Sequence, residues 1–574
     1  MVWALLFFTT TEDVVFKTEQ NIDLELILKD IEHLQDHPLD INSASVEELA
    51  KIPYLSINEV IKIVEYREIR GLYESLDDLR YIPGFDAALV ERIRPFLTIG
   101  KKEVSVLKVN ARARAQTALP VEEPSFKYYT RLNAMLEQYG IYTVTERDPY
   151  ENLFFDHYTA GFLIDEGKRR FALGKYNLDL GAGAVLSPIG SFFRGIDFRV
   201  MLNERGLIPY TSAIENGGFF GGALSDSLFL RYTLFYSNER LDGVIDSSGF
   251  ARSLVTSGEH TDSLSSSRKD RIREEILGLD VRYRTARFLI ASRSYFCTYD
   301  PGFVATDSVA CFYGSNFFMS AAELRYFGRD FVVFSEIARS WKNRFGGLFG
   351  ISTVFPFLDV NISGKYFPMG YYSPKGVEAT PDLASGTLDL KHHSRLIDVG
   401  LSLTLDNRLD EDTTRHDLKA IFSKKIGIVD TRVSFRRRYR AEDVDLSGSE
   451  VLMRIMATKN LFFDLRVEEK TAYGEEVARG IFVALEAGLD LKRLDARIRY
   501  GIFNTDTYAA RIYAYEIDLP GVVHNRMLYN KGNYGFAYLS FRPIRNVKLT
   551  MKYSTVKRDS VRDRRAGGQI DFVL

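Results

Sequence analysis

The residues able to do chemistry are few and poorly arranged for it. The eight histidines (His33, His37, His157, His260, His392, His393, His416 and His524) are scattered along 574 residues. None stands at a metal-ligand spacing from another or from a cysteine cluster, so no metal and no cofactor is expected. His392-His393 adjoins a stretch that reads as a long loop, where solvation is expected. No nucleophile elbow occurs. No catalytic residue is nominated, and the chain is read as not an enzyme. The glycine-rich run that opens at Gly181 lacks the Gly-Lys-Ser/Thr ending and the following helix of a phosphate loop. A bend, a bulge or an inward-folded plug is expected over 181–216. The two cysteines, Cys297 and Cys311, are too few for a disulfide framework. They flank a loop expected around Pro301-Gly302. A loop-closing disulfide in an oxidising compartment and two free thiols both stay open.

Charge spacing is more informative. Arg436, Arg438 and Arg440 fall on one face of a strand beginning near Val429, opposite Val433, Phe435 and Tyr439. With Arg497 and Arg499 they could form a basic lumen track suited to anions or to a DNA strand. The other reading pairs them with carboxylates such as Asp464 and Glu468. Arg437 breaks the oily face, as a long side chain does where it reaches lipid headgroups. The net charge is −2, which excludes a global basic footprint for nucleic acid.

The elements that must position these residues are strands. In Val547–Ser554, apolar Val547, Leu549, Met551 and Tyr553 alternate with Lys548, Thr550, Lys552 and Ser554. A strand sends successive side chains to opposite faces, so this segment has one oily and one charged face. The pattern recurs in segments of about 8–11 residues, the length a tilted membrane strand needs. Tight turns are expected at Thr285-Ala286, Gly328-Arg329 and Ile544-Arg545. Long polar loops are expected at 242–273, 299–316, 367–392 and 406–415. Short turns on one side and long loops on the other mark a transmembrane β-barrel, here of about 18–24 strands. A soluble β-propeller or sandwich array is the competing reading. No run reaches the 18 or more apolar residues of a membrane helix. Val2–Phe8 reads as the apolar core of a shortened secretory signal or as a short buried segment.

The N-terminal part is different. Residues 12–36 are acidic, with Leu24, Leu28 and Ile31 at helical spacing, and read as an amphipathic helix. An internal repeat follows, with Ile-Pro starts at Ile52 and Ile82. Each follows a short helix (near Val46–Lys51 and Leu76–Tyr81) and precedes another. Ser45 with Glu48 fits a capping box, and Ile57, Val60, Ile61 and Val64 form an apolar stripe.

At "INSASVEELAKIP", "VEYRE", "SLDDLRYIPGF" and "IRPFL" the stretch resembles the tandem helix-hairpin-helix domain of ComEA-type competence proteins and many DNA-repair proteins. The resemblance implies phosphate contact through Pro53, Tyr54, Leu55 and Ser56 in the first hairpin and Pro83, Gly84 and Phe85 in the second. Lys62, Arg67, Arg70, Arg92, Arg94, Lys101 and Lys102 would supply a basic patch. Two features oppose DNA. Tyr54, Ser56 and Asp86 replace hairpin glycines, and residues 37–102 carry 11 acids against 9 bases. A partner-docking role is therefore preferred over phosphate binding.

The order of acidic helix, hairpin pair, linker and large barrel, with "ERDPYE" from Glu146 and "LGKYNLDLGAGAVLS" from Leu173, resembles the long helix-hairpin-helix outer-membrane proteins of the Bacteroidota and Chlorobi. The fold class is then α+β multidomain: a small all-α tandem helix-hairpin-helix domain followed by a large antiparallel transmembrane β-barrel. The divisions are a signal segment at 1–11, the acidic helix at 12–36, the hairpin domain at 37–100, a linker at 101–125 and the barrel at 126–574. Val109–Gln116 within the linker is strand-like, either leaving the small domain or pairing with the barrel, and 569–574 reads as the closing strand. The leading expectation is a pore or envelope assembly platform in the outer membrane of a Gram-negative bacterium. Its wall would meet lipid, and its periplasmic domain would dock an envelope protein. A DNA-uptake component is the alternative, and a secreted soluble β protein the third.

Overall fold

The computed structural model describes residue 34 and residues 38–574, except 45, 50, 53–54, 56, 83, 86, 101–106, 121–125, 151–156, 187–204, 213–216, 228, 256–259, 261, 286, 306–311, 329–330, 356, 377–382, 393, 395, 409–412, 441–444, 523 and 560. The signal segment at 1–11 lies outside the described residues. So does the acidic helix at 12–36, apart from Leu34, which is helical and buried in the core of the small domain.

The small domain ties its two ends together. Leu39–Asp40 pairs in parallel with Leu97–Thr98. Between them run helices Val46–Leu49, Ile57–Arg70 and Ala87–Ile93, with 3-10 turns at Leu76–Tyr81 and Arg94–Phe96. The long helix buries Val60 and Ile63 completely, three residues apart and so on one face. The expected stripe omitted Ile63. In this domain a capping box is described at Ser75: its hydroxyl accepts from Asp77 N at 3.1 Å, and the Asp78 carboxylate accepts from Ser75 N at 2.8 Å. The box expected at Ser45 lies outside the described residues.

From Leu107 onward, 24 strands close into one antiparallel barrel. Closure joins the first strand, Leu107–Leu119, to the last, Val561–Val573, in the register Ala111↔Phe572 and Ala113↔Ile570. Val109 and Leu574 exchange backbone hydrogen bonds of 3.1 and 2.8 Å. The barrel therefore begins at residue 107, within the stretch assigned above to a linker, and not at 126. Without this strand the sheet would keep two open edges. Three short units branch from the ring: Gly206–Pro209, the hairpin Gly243–Ile245 with Ala251–Leu254, and the hairpin Ile512–Glu516 with His524–Leu528.

Short connections lie at the end where the first strand starts, between Leu136 and Tyr139, Ile426 and Val429, Leu491 and Leu494, and Ile544 and Val547. The opposite end carries the long connections. Three loops expected there are shorter than the sequence implied, because strands continue to Phe303, start again at Leu383, and bracket 409–412. Strands of up to 16 residues exceed what crosses hydrocarbon, so their ladders run on past the membrane.

The two faces of the wall are inverted relative to a soluble protein. On the strand Phe288–Phe303, Phe288, Ile290 and Phe296 are exposed on the outer face, while Leu289, Arg293 and Tyr295 are buried inside. The same inversion holds around the ring, with Leu277, Leu324, Phe349, Leu405, Leu485, Ile498 and Met551 all exposed. A continuous apolar band of this extent needs lipid against it. Among the described residues no helix is long and apolar enough to cross a membrane. Arg437 is exposed on the outer face, in register with Leu418 and close to the long-loop end of its strand.

Candidate functional site

Two places hold the residues singled out by the sequence: the hairpins of the small domain and the lumen of the barrel. In the hairpins, Leu55 and Phe85 are core residues and are buried. Gly84 has φ +100°, a conformation that favours glycine, so the second hairpin keeps its tight turn. Pro53, Tyr54, Ser56, Pro83, Lys101 and Lys102 lie outside the described residues.

Two of the basic residues, Arg67 and Arg94, are committed to the fold. The Arg67 guanidinium donates to the carbonyls of Ile41 and Ala44 at 2.9 and 2.7 Å, tying the long helix to the turn before the first helix. Arg94 donates to Glu91 and Asp77, both at 2.8 Å. The hydrogen bond to Glu91 leads the causes that raise its pKa further. Lys62 stands beside Gly84. Arg70 and Arg92 are exposed on the surface. The Tyr73 hydroxyl donates to Ile63 O at 2.8 Å, and burial pushes its pKa upward. Replacing Arg67 with Ala should lower the stability of this domain by about 1.5–3 kcal/mol, the range for hydrogen bonds to a charged group. Faster amide exchange at Val60 and Ile63 with the barrel unchanged is the expected readout.

The lumen is filled from two sides. On one, the chain after the strand Arg170–Asp179 turns inward, and Leu180–Leu186 is fully buried. Gly181 and Gly183 have φ +87° and +110°. These left-handed positions aim two backbone N–H groups at one oxygen: Ala182 N and Ala184 N donate to Glu336 Oε2 at 2.8 and 3.2 Å. The Ala184 carbonyl accepts from Tyr371 Oη at 2.6 Å and Ser373 Oγ at 2.9 Å. Glu336 is itself paired with Arg293, which also reaches Glu323 and Asp280. The inward-folded plug is therefore real over 180–186; residues 187–204 lie outside the described set.

On the other side the hairpin Ile512–Leu528 folds into the barrel. Arg526 binds Glu516 at 3.0 Å, Asp563 at 2.9 Å and Ser554 Oγ at 2.6 Å, and Lys552 binds Asp518 at 2.7 Å. Arg497 and Arg499 belong to this packed region: Arg497 meets Asp495 at 3.0 Å, and Arg499 meets Glu486 at 2.6 Å and the carbonyl of Tyr515 at 2.6 Å. They are buried ion-pair members and stand apart from Arg436 and Arg438. The single basic track is thus divided. Arg436 donates to both oxygens of Asp417 and Arg438 approaches the same carboxylate at 3.5 Å, on a wall that stays accessible. Arg440 ends the strand in register with Arg415. Cys297 is a free thiol buried on the inner face. Cys311 lies outside the described residues.

Sequence reasoning missed Arg293, Glu336 and the hairpin Ile512–Leu528. A lone inward-facing charge in each strand carries no spacing signal. For the hairpin, the run Ile-Tyr-Ala-Tyr over 512–515 is apolar on both faces, so no oily and wet face sets it apart.

A family model for the helix-hairpin-helix motif matches residues 35–98. Together with the barrel, this defines the class: a membrane-type β-barrel carrying a small helix-hairpin-helix domain. Among solved structures the chain is similar to a ferric enterobactin receptor, PfeA, of Pseudomonas aeruginosa, with 8% identity, 83% of this chain and 82% of that one covered, and a TM-score of 0.42. The siderophore receptor PirA of Acinetobacter baumannii gives 6% identity, 83% and 82% coverage, and 0.41. The translocation pore of the P pilus usher PapC gives 9%, 82% and 99%, and 0.38. At such values the roles of those proteins stay with those proteins.

Proposed function

We propose that this protein is a non-enzymatic outer-membrane barrel, a pore or assembly platform, whose small domain docks an envelope protein in the periplasm. It would be one of the long helix-hairpin-helix barrels that its sequence resembles. The observation that carries the membrane part is the inverted wall, apolar outside and charged inside. Chain direction supports the periplasmic assignment. The first strand starts at the short-turn end, and in outer-membrane barrels that end faces the periplasm.

Docking is favoured because Arg67 and Arg94 are committed internally while Leu72 and Tyr81 stand 70% and 76% exposed. DNA binding is the second reading, supported by the hairpin turn at Gly84 and by the motif match. The full-length protein in detergent should not retard double-stranded DNA at physiological salt. A shift that weakens steeply as salt rises, and is lost in Lys62→Glu/Arg92→Glu, would move the reading to DNA handling.

A further inference from the structure

The outer wall carries two charges that contact with lipid tails does not explain. Arg437 and Glu469 lie on the outer face and are exposed. Their strands, Val429–Arg440 and Leu461–Tyr473, both rise from the short-turn end, with the strand Asp445–Met456 between them. Arg437 lies as far along from Val429 as Glu469 does from Leu461, so the two stand at one depth. Two strand spacings part them, roughly 10 Å. On the next two strands that depth is held by Val483 and Ile502, which are in register with each other. The two charges therefore interrupt the apolar band. Among the described residues neither side chain has a hydrogen-bond or ion-pair partner.

Between them the wall is hollow. A notch of about 300 Å³ opens on its outer side. Ala420, Ser447, Gly448 and Ser449 line it with side chains too short to fill it, and Phe435 and Leu418 stand exposed beside it.

Whatever covers this notch must answer both charges. Lipid tails answer neither, and a charge facing them is costly. A phosphate headgroup would serve Arg437 and repel Glu469. A second copy of the same wall answers both. Two barrels in one membrane share their orientation, so a twofold axis along the membrane normal can relate them. An axis through the notch sets Arg437 of each copy opposite Glu469 of the other, at the same depth. Short side chains at the axis let the two walls approach closely, as small residues do between membrane helices. Ion pairs formed there are screened little by water, so they are stronger than pairs at an open surface.

We infer that the protein forms a twofold dimer through this part of its outer wall, held by reciprocal Arg437–Glu469 pairs across the notch at Ser447 and Ser449. The inference rests on the membrane-barrel reading above and goes beyond the docking role of the small domain.

The test uses the full chain in lipid vesicles. Insertion is scored first by heat-modifiable mobility and resistance to carbonate extraction. Failure to insert would overturn the membrane-barrel reading and the dimer with it. With insertion established, energy transfer between donor- and acceptor-labelled copies is followed as lipid dilutes them. The native chain should associate. Arg437→Glu and Glu469→Arg should each weaken self-association on the order of 100-fold, because like charges then meet at both contacts. A mixture of the two variants should associate as the native chain does, since every acid again faces a base. The gel shift confirms that each variant is folded. Inserted native barrels that stay monomeric would overturn the dimer and leave the membrane-barrel reading standing. Association unchanged in the single variants, or not restored in their mixture, would overturn the reciprocal pairs. A native monomer that keeps a phosphate-bearing lipid in native mass spectrometry, and loses it in Arg437→Gln, would overturn the dimer in favour of a lipid headgroup.

Discussion

A barrel carrying Arg293→Met should lose about 3–5 kcal/mol of stability, the cost of breaking a buried pair by removing one partner. Its folded band in an unheated gel should disappear at lower temperature, and its urea midpoint should fall. Arg293 is sealed inside and serves three acids at once: Asp280, Glu323 and Glu336. Two of these keep another partner when it goes. Asp280 retains Arg282 at 2.7 Å, and Glu323 retains Arg325. Glu336 is the one left with a buried charge whose remaining partners, among the described residues, are the backbone N–H groups of Ala182 and Ala184. The destabilisation should therefore be relieved in Arg293→Met/Glu336→Gln, where that charge is absent. Arg436→Gln is the contrast. Its pair with Asp417 is about a third open to water on the arginine side, so the change should stay within about 1 kcal/mol, as exposed pairs do. Equal losses in Arg293→Met and Arg436→Gln would mean that water reaches Arg293 and that the wall near the plug is open.

The contrast between these two arginines also marks how far sequence could reach. The barrel was legible because a strand in a membrane wall must alternate, and Val547–Ser554 or residues 463–468 do so without a break. The small domain was legible because its Ile-Pro repeat places a turn between helices twice. The first barrel strand was harder. The alternation over Val109–Gln116 marked a strand, but a face of Ala111, Ala113 and Ala115 is only weakly apolar, so its pairing with the barrel stayed one of two readings. What identifies it is the partner 459 residues away, where Arg112 meets Asp571. The lumen was legible only in composition. Arg436, Arg438, Arg497 and Arg499 have the same alternating spacing, yet one pair faces water and the other lies under the hairpin Ile512–Leu528. That difference is made by a branch of chain folding inward, and strand periodicity carries no record of it. In the small domain the reverse held. Arg67 and Arg94 read as surface charge, and the fold uses them to satisfy carbonyls and acids of its own turns.

The plug should respond to a single oxygen. With Val185→Cys as reporter, a membrane-impermeant maleimide should react very slowly with the otherwise native barrel (carrying Cys297→Ala and Cys311→Ser), because Val185 is fully buried. Adding Glu336→Ala removes the acceptor of Ala182 N and Ala184 N. Hydrogen bonds to a charged group contribute about 1.5–3 kcal/mol, so labelling should accelerate on the order of 10–100-fold. Glu336→Gln keeps an oxygen at that place and should accelerate it much less. Arg293 keeps Asp280 and Glu323 in both variants, so the wall itself should hold. The plug also has a second anchor, the Ala184 carbonyl held by Tyr371 and Ser373, together with the apolar contacts of Leu180, Val185 and Leu186. If Glu336→Ala leaves labelling unchanged and Tyr371→Phe/Ser373→Ala speeds it, that second anchor governs the plug. The carboxylate then serves Arg293 rather than the segment that crosses the lumen. Acceleration by Glu336→Ala alone would instead tie the position of the plug to the same buried charge cluster that stabilises the wall, so that opening the lumen and loosening the barrel would be one event.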